Sequence, residues 1–129
     1  MILTVLAALL VASELSTFSG DPADHSTWMQ HACRIQQVDR SGGVPEDHDA
    51  FCSCLDGYLQ ENATPQVYRL FALGSQGAIQ DRSVLPDWEA ARDASAAEAG
   101  ALPAEEQAGL MGLLQGGLGT CVSYSYQGD

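Results

Sequence analysis

Cys52-Ser53-Cys54 is the stretch whose residue types and spacing could most directly do chemistry. Two neighbouring thiols can cycle between dithiol and disulfide, or hold a soft ion such as copper. Thiol exchange needs an exposed thiolate beside a resolving partner, and redox pairs commonly follow a Cys-X-X-Cys spacing. Here one serine intervenes, and the acids Asp49 and Asp56 would raise the thiol pKa values and slow attack. His48 stands four residues before Cys52, so one helix face could bring both to a metal, and His31 is close to Cys33. Zinc sites usually pair ligands across a spacer of about two to four residues, which these cysteines lack. The sulfurs therefore read as structural cross-links, with thiol-redox or copper-handling chemistry as the alternative use.

No other constellation points to catalysis. Carboxylates are so common that no single pair is informative, and Glu105-Glu106 at a helix start answers the helix dipole. Gly116-Gly117-Leu118-Gly119 follows a helical segment where a dinucleotide fingerprint would open one. Gly74-Ser75-Gln76-Gly77 is not a nucleophile elbow, and neither a P-loop nor a calcium loop occurs. A non-enzymatic protein with no cofactor is the expectation.

The elements that must position the cysteines are helices. Over Val44 to Asn62, Phe51, Leu55, Tyr58 and Leu59 share one apolar stripe. Cys52 and Cys54 then lie about 160° apart across it, one at each edge. Sulfurs at i and i+2 on a helix diverge, so each should reach a different neighbour, Cys33 or Cys121. In the preceding segment Trp28, Met29, Ala32 and Ile35 form the stripe and Cys33 lies on its clockwise edge, as Cys52 does on its own helix. An antiparallel hairpin would bring those edges together. This favours Cys33–Cys52 and Cys54–Cys121 among the three connectivities that four cysteines leave open.

The chain has 129 residues, enough for one domain. Apolar residues make up 46% of it, but many are alanine and only 7% of residues are aromatic, so the core is thin for its length. Two cross-links would offset that. A net charge of -12, with arginine the one basic residue type, disfavours nucleic acid and anionic membrane faces as partners.

Ile2 to Ala12 is apolar apart from Thr4, too short to span a bilayer and the length of a signal-peptide core, although no basic residue precedes it. Residues 1–19 are therefore expected to be a leader, cut after Ser19 or, alternatively, after Ser13. Residues 20–129 would form one exported domain, periplasmic or secreted, with no stable membrane anchor in its mature form.

Further along, Asp24 or Ser26 can cap a helix that runs to about Asp39 and stops at Ser41-Gly42-Gly43. Pro45 suits the first turn of the second helix, and Thr64-Pro65 starts a short third, with Val67, Leu70, Phe71 and Gly74 on one face. Gly74 to Asp81 reads as a loop. Ser83 to Asp87 leads into a helix with Trp88, and Ala90 to Gly100 reads as helix facing largely solvent. The segment opened by Pro103 carries Leu110, Met111, Leu113, Leu114 and Leu118, and so should be central. Its glycines either admit close packing or end it near Gln115. Val122, Tyr124 and Tyr126 alternate like a short strand or extended tail. Trp28, Trp88, Tyr124 and Tyr126 are expected in the core.

The leader followed by His31-Ala32-Cys33, Phe51-Cys52-Ser53-Cys54-Leu55 and a late Cys121 resembles small secreted helical proteins of proteobacteria with no assigned function. The resemblance covers mainly Thr27 to Phe71. It implies a helical, disulfide-bonded, exported fold and carries no activity across. The expected architecture is an all-α bundle of four or five helices stapled by two disulfides. Its role would be that of an accessory or binding protein acting on an unknown protein or small ligand, or a carrier of a small apolar ligand held between the helices.

Overall fold

The computed structural model describes residues 18–128, so the leader expected over residues 1–19 falls almost wholly outside the described residues. Five α-helices follow one another: α1 (Pro22–Ser41), α2 (Asp49–Asn62), α3 (Pro65–Ile79), α4 (Trp88–Ala101) and α5 (Ala104–Cys121). Single 3-10 turns occupy Pro45–His48, Gln80–Arg82 and Val122–Tyr124, and there is no strand among the described residues.

Local chemistry sets most boundaries. Asp21, not Asp24 or Ser26, caps α1: its carboxylate accepts from the Ala23 N–H at 2.9 Å, and Pro22 takes the first helical position. Gly42, at φ +80°, ends the helix. Thr64 caps α3 through its hydroxyl, which accepts from the Val67 N–H at 3.2 Å. Pro45 opens a 3-10 turn, so regular α2 begins at Asp49, later than Val44.

Helix α3 is the centre of the molecule. It packs against α1 on one side and α4 on the other, while α2 lies against α1 and carries α5. The main core joins Trp28 and Met29 of α1, Leu59 of α2, Tyr68, Ala72 and Leu73 of α3, and Ala91 of α4. A second cluster sets Val67 and Leu70 against Leu102, at the entry to α5.

Four expectations are corrected by this packing. The segment from Gly74 continues α3 to Ile79, where a loop was expected. Its glycines are close-approach positions instead of breakers: a Cβ on Gly77 would lie 2.6 Å from the Arg92 Cβ and 3.2 Å from its Cα. Helix α5 is peripheral despite its leucines. It buries only Gly117 and Cys121, and Met111 is 62% exposed. The side of α5 that meets α2 is the glycine side, where a Cβ on Gly117 would lie 2.6 Å from Leu55, so the large residues are displaced to the flanks. Beyond Cys121 the chain makes a 3-10 turn, not a strand, and leaves Val122 and Tyr124 exposed. Of the four aromatic residues expected in the core, Trp28 is buried, Trp88 is half-buried beneath the Arg92 guanidinium, Tyr126 is half-buried against His48, and Tyr124 is exposed. The Ala-rich α4 does face mostly outward, burying Ala91, Ser95 and Glu98.

The close approach of α3 and α4 yields a contrast that thermal or urea unfolding can read. Gly77→Ala must push the Arg92 backbone away and should cost about 1–3 kcal/mol. Gly112→Ala, on an open face of α5 with nothing within 4 Å of its Cβ position, should stabilise by about 0.5–1 kcal/mol.

Candidate functional site

The four cysteines meet as Cys33–Cys52 and Cys54–Cys121, with Cα separations of 5.7 and 5.8 Å. The first bond ties α1 to α2 and the second ties α2 to the end of α5. This is the pairing that edge geometry favoured. No cysteine is free, and Cys52 and Cys121 are fully buried. In this state Cys52 and Cys54 offer neither a shared disulfide nor a thiolate. Two bonded pairs of this kind belong to an oxidising compartment.

His48 is buried, and its Nε2–H donates to the Gly42 carbonyl at 2.9 Å, which fixes the ring at the end of α1. Its Nδ1 has no hydrogen-bond partner among the described residues, and its ring stands edge-on to Tyr126 with centroids 5.2 Å apart. The Cys52 sulfur that would have completed a metal pair with His48 is committed to Cys33. Likewise, His31 donates to the Arg82 carbonyl at 2.8 Å instead of meeting Cys33. No cluster of three or more potential metal ligands occurs among the described residues.

A polar node that the sequence did not announce lies beside the first disulfide. Asp56, one turn beyond Cys52 on α2, is buried. Its Oδ1 accepts the Tyr68 hydroxyl at 2.7 Å, and its Oδ2 accepts from Ser26 at 2.6 Å, Gln60 at 2.9 Å and Gln30 at 3.3 Å. Four donors from three helices replace the water that a buried carboxylate would otherwise lose. Burial first, and then the adjacent Asp56 carboxylate, push the Tyr68 phenol well above its ordinary pKa. Gln76 plays the same part elsewhere in the core. Its Nε2 donates to the Trp28 carbonyl at 2.9 Å, and its Oε1 accepts from the Ser83 hydroxyl at 2.6 Å and the Val84 N–H at 3.1 Å.

Between α1, α2, α3 and α5 lies a cleft of about 370 Å³. Its apolar walls include Met29 and Ala32 of α1, Leu59 of α2, Phe71 of α3, and Leu114 and Leu118 of α5. The α1 side repeats every three to four residues, from Met29 through Cys33 and Gln37 to Arg40, so the cleft follows that helix for about 16 Å. Its character changes along the way. Gln36, Gln37 and Arg40 border the end near the C-terminus of α1, with Gln36 and Arg40 exposed. Asp56, bonded to Ser26 and Gln30, marks the other end. Interiors normally hold few voids larger than a water molecule, and a concave apolar space of this size falls in the range of small-ligand sites.

Comparison with protein-family models, with curated proteins and with solved structures gives no match for this chain. The functional reading therefore stands on the cleft and the cross-links.

The Asp56–Tyr68 bond carries a pH signature. Above about pH 10 the unfolded chain releases a tyrosine proton that folded Tyr68 keeps, so stability falls as pH rises through that window. Tyr68→Phe should lower stability by about 1–3 kcal/mol at neutral pH, through loss of one donor to a buried carboxylate. It should also flatten the alkaline decline above pH 10, as measured by urea unfolding at a series of pH values.

Proposed function

We propose that this protein is an exported, non-enzymatic binding protein of the cell envelope or extracellular space that carries a small apolar ligand between its helices. The observation that supports it is the cleft beneath α5, a mainly apolar space of about 370 Å³ that no side chain among the described residues fills. Export is supported by the two disulfides, which an oxidising compartment maintains, and by the apolar leader-like run Ile2 to Ala12. Among the described residues no helix is long and apolar enough to cross a membrane.

The neutral dye N-phenyl-1-naphthylamine, which brightens in apolar surroundings, tests the reading. It should bind the oxidised protein at about one equivalent and brighten on doing so. Leu114→Trp places a larger side chain in the cleft wall at a half-buried site and should remove the signal while far-ultraviolet circular dichroism stays unchanged. A dye that fails to bind the intact protein, or that binds Leu114→Trp equally well, would defeat the carrier reading.

Processing of the leader is best served by the cut after Ser13. Phe18 packs against the main core, and the Ser19 carbonyl accepts from the buried His25 ring at 2.8 Å. The Ser19 hydroxyl also accepts from the Asp21 N–H at 3.1 Å, at the cap of α1. A cut after Ser19 would strip away all three contacts and leave a buried His25 N–H unpaired. N-terminal sequencing of exported protein should therefore begin at Glu14; a start at Gly20 would contradict this.

A further inference from the structure

We propose that the occupant of the cleft is a single-chain amphiphile with an anionic head, such as a medium-chain carboxylate, its tail under α5 and its head against Arg40. This rests on the reading that the cleft takes a ligand, and it adds which chemistry and which orientation.

The first observation is where the positive charge goes. The chain has five arginines, no lysine and seventeen acidic residues. Arg34 faces Asp49, Arg69 faces Glu98, Arg82 grips Asp39 through both terminal nitrogens and Arg92 meets Asp93. Arg40 alone makes no ion pair, hydrogen bond or ring contact among the described residues. A guanidinium left unpaired in so acidic a protein is a free fork of donors suited to a carboxylate.

The second observation is where that fork stands. Arg40 borders the apolar cleft at one end, beside the amides of Gln36 and Gln37, which make no side-chain hydrogen bond among the described residues. Gln37 and Arg40 are one turn apart on the same helix face, and the apolar lining begins beyond Cys33. The cleft is thus cationic and hydrogen-bonding at its Arg40 end and mainly apolar beyond it, with Ser75, Ser95 and the engaged Asp56 as its other polar lining, which is the polarity of a fatty acid. The Asp56 carboxylate lies at the opposite end, ten to fourteen residues away along α1 by its bonds to Gln30 and Ser26, and is saturated by its four donors. An anionic head is therefore directed to the Arg40 end. A cationic head finds no free carboxylate lining the cleft: Asp56, the one carboxylate there, is already engaged.

Displacement of the bound neutral dye by decanoate, decanol and decyltrimethylammonium, at low ionic strength and above pH 7, tests the assignment. Decanoate should displace it at the lowest concentration and decyltrimethylammonium at the highest. Arg40→Gln changes an exposed side chain in the last turn of α1 and should cost no more than about 1 kcal/mol of stability, while weakening decanoate about threefold to fivefold, the size of an exposed ion pair, and decanol by clearly less. Raising the salt concentration should erode the same advantage. Equal decanoate affinity in Arg40→Gln, or an ammonium amphiphile that competes as well as decanoate, overturns the head-group assignment but leaves the apolar cleft standing. Failure of both dye and decanol to bind overturns the carrier reading itself.

Discussion

The fold depends on α2 being tied covalently along both of its flanks. Two cysteines at i and i+2 on a helix cannot face the same neighbour, so Cys52 reaches α1 and Cys54 reaches the end of α5. The bonded cysteines are separated by 19 and 67 positions in the chain. The chain-entropy account gives them about 3 and about 4 kcal/mol against the unfolded state. In a domain whose whole margin is on the order of 5–15 kcal/mol, these links compare with everything that packing leaves over. They explain how a core as light as Trp28, Met29, Leu59, Tyr68, Ala72, Leu73 and Ala91 holds five helices together.

The cross-links also decide which helices need to be well buried. Helix α3 carries no cysteine and is fixed between α1 and α4 by packing and by the hydrogen bonds of Tyr68 and Gln76, and glycines at 74 and 77 let α4 come close enough to be held. Helix α5 is fixed differently. Leu102 anchors its entry, Cys121 its exit, and the glycine side between them lies on Leu55 and Tyr58. Leu110 and Leu113 pack on the edges of the core clusters, while Leu114 and Leu118 border the cleft. A helix pinned at its ends can roof an unfilled space that a helix held only by side-chain burial would collapse into.

What could be read from the sequence follows from how local each cause is. Caps and stops were legible because Thr64-Pro65 and Ser41-Gly42-Gly43 act within a few residues of themselves. The disulfide pairing was favoured because helix phase, together with an antiparallel hairpin of the first two helices, puts Cys33 and Cys52 on matching edges. Asp56 and Gln76 were not legible. Their partners lie as far away as Ser26 and Trp28, and a buried acid looks like a surface acid until its donors are known. The place of α5 was misread because counting leucines measures how apolar a helix is, not which face another backbone can approach. The cleft was foreshadowed only as a space between helices. Its lining is drawn from several helices and mixes small residues such as Ala32 and Gly74 with large ones such as Phe71, a combination that no single segment shows.

The same distinction bears on why the site combines an open apolar wall with a rigid polar frame. Asp56 and Gln76 are each satisfied by donors or acceptors on several elements, so neither can shift without leaving a buried polar atom unpaired. These two nodes fix the positions of α1, α2 and α3, while the disulfides fix α2 against α1 and α5. Between them the backbone around the cleft is determined by groups whose bonds do not rely on the cleft being full. For the ligand proposed above, a frame bounded in this way would leave the ordering cost of binding mainly on the ligand. Preorganisation of this kind lets a domain with few large side chains present a cavity that a conventionally packed bundle of its size would have closed.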